Sequence, residues 1–354
     1  MSAALPGIVP EAIRDPRWYP MELDRRTGGL RFADVGEGWP DWQRFYAHTE
    51  EDGPMRQQVL PAAEALKLVG GAPPRLNLIW HTAYCCSTAI GNALEVPGRN
   101  AALFEPQILV SLAHMRRQSD REGRADLSWL SEAIFRLLAR PFAPGATTTV
   151  KAAPTSSYLI GDAALKTTGR MLFLYSDCRS FLLATMRYGE RRRRFVRSIF
   201  RDVRAEKRWS QRWTPDAMAE ITDLEVASLA WQLQIVRFRE SMLRLGERVV
   251  SLDCDAFLAD PKTTVVKLWE FFELPGDPGE SPLIADPGYL GRHAKYGGQS
   301  FSIDERITAD KSLSPKLLQE VERIVEASYE LFPENRGVLP LPRALLAADK
   351  LYAR

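Results

Sequence analysis

The stretch Arg75-Leu-Asn-Leu-Ile-Trp-His-Thr-Ala-Tyr-Cys-Cys-Ser-Thr-Ala-Ile90 decides how this chain is read. A short apolar run ends at Trp80, a tight polar segment follows, and Ser87-Thr88 open a helix-like stretch to Leu94. A strand that turns abruptly into a helix aims backbone N–H groups and hydroxyls at one spot, where an anion binds. The pattern predicts a phosphate-binding loop. The usual loop of this kind reads Gly-x-x-x-x-Gly-Lys-Ser/Thr after its first strand. Residues 81–88 hold no glycine and no lysine, and Gly-Lys occurs nowhere in the chain, which argues against ordinary ATP or GTP hydrolysis. A second reading of the same residues is that Ser87 or Thr88 merely caps its helix.

Working outward, the Gly70-Gly-Ala-Pro-Pro74 cluster just before the stretch is a turn or linker signal. Residues 1–72 are rich in Trp, Pro and Gly and show only short periodic pieces, so they are expected to form an irregular N-terminal extension with a helix near 55–69. From Leu76 onward, strand-like runs at 76–80, 147–151, 170–175 and 248–252 alternate with helical patterns. Leu224, Ala227, Trp231, Ile235, Phe238, Met242 and Leu245 step by three or four and mark one face of a long helix. Asp260-Pro261 and Ser314-Pro315 are cap-plus-proline helix starts. Short apolar runs alternating with helices predict a mostly parallel sheet covered by helices on both faces.

Composition bounds the rest. The chain has 354 residues, 45% of them hydrophobic and 26% charged, which suits a globular protein with a sizeable core. A net charge of +2 gives no global argument for nucleic acid or membrane binding. No run of about 18 apolar residues predicts a membrane span, and Pro6, Pro10, Glu11 and Asp15 do not resemble a secretory leader. Four cysteines, two of them adjacent at Cys85 and Cys86, do not form a disulfide framework, so reduced thiols in a cytoplasm are expected. With four histidines and no metal-ligand spacing, no metal site is expected. The run Arg187-Tyr-Gly-Glu-Arg-Arg-Arg-Arg194, continued by Arg197, Arg201 and Arg204, lies beside an apolar face of Phe195, Val196, Ile199, Phe200 and Val203. It reads as a solvated basic face or as the edge of an anion site.

The order of pieces carries a resemblance. After the loop come Phe104-Glu-Pro106, Val150-Lys-Ala-Ala-Pro154, Leu174-Tyr-Ser-Asp-Cys-Arg179, the long helix with Trp231, and a block from Val249 through Asp260-Pro261 to Pro275. Over about residues 75–335 this sequence resembles the sulfotransferases that use 3′-phosphoadenosine 5′-phosphosulfate (PAPS), and more closely a divergent bacterial group related to them. The resemblance implies an α/β fold, a P-loop-like three-layer sandwich with a mostly parallel central sheet. The implied division is an N-terminal extension (1–74), a sulfotransferase-like domain (75–335) and a C-terminal tail or helix (336–354).

The resemblance also implies roles. The family's phosphosulfate loop reads Pro-Lys/Arg-Ser-Gly-Ser/Thr-Thr; Ala83, Tyr84, Cys85, Cys86, Ser87 and Thr88 stand in its place, with Ser87 and Thr88 agreeing, Tyr84 at the cation position and Cys86 at the glycine. Lys151 matches a lysine that balances charge on the leaving 5′-phosphate. Glu105 is the leading general base and His81 the second, since Ala153 stands where some members carry a histidine. Arg179 matches one basic residue of the 3′-phosphate grip, while Ser176 and Ala184 replace an arginine and a serine, with Ser180 and Thr185 nearby. Arg292 and Lys295 resemble a late segment that closes over the nucleotide. PAPS is thus the expected donor, with a small-molecule hydroxyl or amine acceptor, no nucleic acid and no metal. The alternatives are a non-catalytic ligand- or partner-binding protein that keeps the fold, and transfer from another phosphorylated donor involving Cys85 or Cys86.

Overall fold

The computed structural model describes residues 10–24, 26–40, 56–124, 126–187, 189–206, 221–286, 288–289 and 313–346. Among the described residues, eight strands form two sheets. Strands β1 (Trp18–Leu23), β2 (Gly29–Asp34) and β3 (Gln57–Pro61) make a small antiparallel sheet in that order. Strands β4 (Asn77–His81), β5 (Asn100–Phe104), β6 (Thr147–Lys151), β7 (Met171–Tyr175) and β8 (Val249–Asp253) make the main sheet, in the order β5-β6-β4-β7-β8. All four of its pairings are parallel. The described helices of eight residues or more are α1 (Ser87–Leu94), α2 (Gln107–Glu122), α3 (Ser128–Leu138), α4 (Cys178–Arg187), α5 (Glu190–Arg204), α6 (Asp223–Leu245), α7 (Pro261–Phe272) and α8 (Pro315–Leu331).

The expected α/β architecture follows from side-chain alternation. In β7, Met171, Phe173 and Tyr175 join one apolar cluster, while Leu172 and Leu174 join the other. In β4, Leu78 and Trp80 face the first cluster and Ile79 the second. A strand's period of two sends alternate residues to opposite faces, so a strand covered on both sides reads as an unbroken apolar run. The first face is covered by residues of α2 to α6 and α8, the second by α1, α7 and the short helix Cys254–Ala259. The long helix starts where Thr222 and Glu225 cap each other, and every member of its sequence stripe from Leu224 to Leu245 is buried. Asp260 and Ser314 cap the helices that begin at Pro261 and Pro315, accepting from the Thr263 and Leu317 amides.

Sequence expectations are corrected here: the region read as irregular holds the sheet β1-β2-β3, and the main sheet gains β5, which lies outside the four predicted runs. Instead of a helix near 55–69, the chain has strand β3 and then a 3-10 helix, Ala62–Leu68. Val59 and Leu60 pair with Arg31 and Leu30 of β2, so a tertiary partner overrides the local helical pattern. This small sheet shares the main core through Trp18, Tyr19, Leu30 and Phe32. Arg140, just past α3, ties the N-terminal turn down by donating to the carbonyls of Ala12, Ile13, Asp15 and Trp18. Near the C-terminus, the Leu345 amide donates to the Ser251 carbonyl and the Ser251 amide to the Arg343 carbonyl, so residues 343–345 run along the outer edge of β8.

Candidate functional site

In an open parallel sheet, ligands bind outside the carboxyl ends of the strands, where neighbouring connections diverge. Here β4 lies between β6 and β7, and the polypeptide leaves it through residues 82–86 into α1. Three residues of that turn without glycine adopt left-handed backbone: Ala83 (φ 78°), Tyr84 (φ 53°) and Cys86 (φ 62°). Each such residue costs about 1–2 kcal/mol, so the surroundings must hold the turn. The Thr82 amide donates to the Leu174 carbonyl at 3.1 Å, and the Ala83 amide to His81 Nδ1 at 3.1 Å. Cys85 is fully buried, its thiol 3.6 Å from the Leu174 carbonyl, and burial pushes its pKa up to about 12.

No side chain caps the start of α1, so its first amides have no helical acceptor. Ser87 and Thr88 occupy that first turn, Ser87 buried and Thr88 half-buried.

The register brings the charged groups together. Lys151, last in β6, pairs with Ile79 of β4 on one side and Phe104 of β5 on the other. The ends of β5 and β6 are therefore level and β4 runs two residues further, which brings His81, Glu105 and Lys151 together along one edge. Lys151 Nζ is ion-paired with Glu105 Oε1, and His81 Nε2 lies 3.7 Å from the same oxygen. Because His81 Nδ1 accepts an amide proton, the neutral ring carries its own proton on Nε2, facing Glu105. Glu105 is itself left-handed (φ 47°), held by its amide's bond to the Lys151 carbonyl at 2.7 Å. The Lys151 side chain is 2% exposed and that of Glu105 is 24% exposed, so the carboxylate is the part of the pair that water reaches.

Tyr84, at the position of the expected cation, is packed against Phe181 and Phe195. Its hydroxyl donates to the Arg192 carbonyl at 3.3 Å, and the Arg192 guanidinium sits 4.7 Å above its ring. Burial raises the Tyr84 phenol to about 12 against the pull of Arg192, which keeps it neutral. Arg192 escaped the sequence reading, which looked for cations on the outer face of the arginine run. The signal was there: residues 192, 196, 199 and 203 recur at helical spacing on the buried face of α5. On the outer face, Arg193 and Arg197 pair with Asp223, and Arg194 pairs with Glu190.

The other candidates are placed as follows. Arg179, at the start of α4, pairs with Glu322 of α8 at 2.5 Å, both side chains about half exposed. The Ser180 hydroxyl donates to Asp177 and that of Thr185 to the Phe181 carbonyl. Ser176 is buried at the end of β7, where its carbonyl accepts from Trp231 Nε1 at 2.8 Å. Arg292 and Lys295 lie outside the described residues. Among the described residues no cluster of three His, Cys, Asp or Glu is placed to hold a metal, and no helix is long and apolar enough to cross a membrane.

No protein-family model matches the chain, and no curated protein matches it. Among solved structures the chain is similar to the sulfotransferase domain from the curacin biosynthetic pathway, at 12% identity and a TM-score of 0.41, over 73% of this chain and 98% of that one. It is also similar to the sulfotransferase domain from the Synechococcus PCC 7002 olefin synthase, at 10% identity and a TM-score of 0.36, over 75% of this chain and 95% of that one.

Proposed function

We propose that this chain is a sulfotransferase-like enzyme that moves a sulfuryl group from PAPS to a hydroxyl or amine of a small-molecule acceptor. The observation that carries the reading is the buried Lys151 ammonium, paired with Glu105 at the carboxyl edge of the sheet beside the uncapped start of α1. A full positive charge with first-turn amides and two hydroxyls suits the 5′-phosphosulfate end of the donor. The 3′-phosphate would take Arg179 from Glu322, an exposed pair worth only about 0–1 kcal/mol.

In this reading the first turn of α1, with Ser87 and Thr88, holds the anionic end of the donor. The acceptor oxygen or nitrogen bonds to sulfur, and the bond from sulfur to the 5′-phosphate oxygen breaks with its electron pair left on the phosphate. Lys151 neutralises that developing charge, which is electrostatic catalysis. Glu105 takes the acceptor proton, with His81 Nε2 standing 3.7 Å from its carboxylate oxygen. Drawing Lys151 away from Glu105 leaves the carboxylate a stronger base, so donor binding would switch on the base. The second reading, a binding protein without turnover, is favoured by the neutral Tyr84 at the cation position.

Calorimetry with 3′-phosphoadenosine 5′-phosphate, ADP and adenosine 5′-phosphosulfate tests the assignment. Binding that requires the 3′-phosphate supports it, and binding of none of the three overturns it. Lys151→Ala is then expected to lose turnover far more than affinity; equal losses would leave Lys151 a binding residue only.

A further inference from the structure

The loop holds a second chemistry that sulfuryl transfer does not use. Cys86, in its left-handed position immediately before Ser87, has its Sγ 3.2 Å from the Sγ of Cys254. Cys254 follows directly on β8, 168 positions along the chain, and is fully buried. None of the four cysteines is in a disulfide, and they divide sharply. Cys85 and Cys178 are buried with thiol pKa values pushed up by desolvation, whereas Cys86 is the half-buried one, within reach of solvent. An accessible thiol touching a buried one is the arrangement of an attacking and a resolving cysteine.

We propose that Cys86 and Cys254 are an oxidisable dithiol, and that their disulfide tethers the loop 82–88 to the end of β8. With a peroxide as oxidant, the Cys86 thiolate attacks one peroxide oxygen; an S–O bond forms, the O–O bond breaks, and hydroxide leaves as water after taking a proton. The Cys254 sulfur then attacks the Cys86 sulfur, the S–S bond forms, and the S–O bond breaks to release a second water. Two thiols and one hydrogen peroxide give one disulfide and two waters, with two electrons passing from sulfur to oxygen. A dithiol reductant reverses it by exchange.

The geometry makes this step local. A disulfide needs its sulfurs about 2.05 Å apart, so the two atoms close by little more than an ångström from where they stand. That shift falls on the residue before the first turn of α1. A displacement of about 1 Å at a preorganised site changes rates on the order of 100-fold. The effect on ligand binding rests on the phosphate reading of the loop above; the cross-link does not.

The reduced full chain, treated with equimolar hydrogen peroxide, is digested without reductant and its peptides weighed, and amide exchange is followed across residues 82–90. The expected result is a Cys86–Cys254 cross-linked peptide, two thiols left of four, and slowed exchange in the loop, all reversed by dithiothreitol. Oxidation of Cys86 to the sulfinic acid, a Cys85–Cys86 disulfide, or a cross-link with unchanged loop exchange would each overturn the proposal. Cys254→Ser should remove the cross-link; should that variant not fold, the order of iodoacetamide labelling in the wild type, Cys86 before Cys85 and Cys178, serves instead, and the reverse order counts against the assignment. With 3′-phosphoadenosine 5′-phosphate as probe, the oxidised form should bind at least about tenfold more weakly. Equal binding would remove the regulatory role, and binding to neither form would sink the phosphate reading while the mass of the cross-link still decides the redox couple.

Discussion

The Lys151 ammonium and the Glu105 carboxylate neutralise each other where the ends of β6 and β5 meet, one nearly sealed from water and the other partly open to it. That inequality decides which partner the fold can spare. Removing Glu105 strands a charge in the interior, and breaking a buried pair this way costs about 3–5 kcal/mol. Removing Lys151 leaves a carboxylate that water still reaches. Glu105→Ala is therefore expected to lower the urea midpoint more than Lys151→Met does. The opposite order would mean that the ammonium reaches water as well.

Asp202 of α5 gives a pH-dependent prediction. Its carboxylate lies 3.0 Å from His114 Nε2 and 4.0 Å from Arg117. Burial raises its pKa, but the His114 hydrogen bond with the charges of Arg117, His114 and Arg201 outweighs burial and holds it below the ordinary value. A carboxyl with a folded pKa below its unfolded value of about 3.9 stabilises the protein fully above that value. The contribution fades as pH falls through the folded pKa. The stability gap between wild type and Asp202→Asn should be wide near neutrality and shrink below about pH 4. A gap that stays constant through acid unfolding would refute the link.

Two glycines permit close packing by different means, one within α1 and one at the amino end of the main sheet. A Cβ at Gly91 of α1 would meet Phe104 Cε1 at 2.6 Å, whereas one at Gly169 would lie 1.9 Å from the Leu76 carbonyl oxygen. A phenyl ring can yield and a main-chain carbonyl beside β4 cannot. Gly91→Ala should cost about 1–3 kcal/mol through overpacking, and combining it with Phe104→Leu should cost less than the two single losses summed. Gly169→Ala should be the more damaging, with no single side-chain change restoring it. Denaturation of the four variants checks the ranking.

Four of the five strands of the main sheet were legible as short apolar or β-branched runs, of which Met171–Tyr175 needs no partner to be recognised; β5, with Asn100 and two alanines, was not. The antiparallel strand β3 was not, because Gln57–Pro61 alternates in exposure and owes its extended form to pairing with β2. Within the site, His81 and Lys151 stand at the ends of strands that the sequence predicts, whereas Glu105 follows β5, whose pairing with β6 sets it beside Lys151. Arg192 and Cys254 arrive from a helix and from the residue that follows β8, far along the chain. No local pattern announces a contact across such a distance in sequence.

The residues alongside β8 have a consequence for how molecules of this protein can meet. With Ser251 hydrogen-bonded to Arg343 and Leu345, the chain supplies its own outermost rung on that side of the main sheet. An exposed strand edge is a template for another chain, and here that template is already occupied. The opposite border, β5, is occupied as well: Asn100 exchanges backbone hydrogen bonds with Val96, and the Ala102 amide donates to the Glu95 carboxylate. Both borders of the main sheet are thus bonded within the chain at these positions, which disfavours strand-by-strand growth from one molecule into the next.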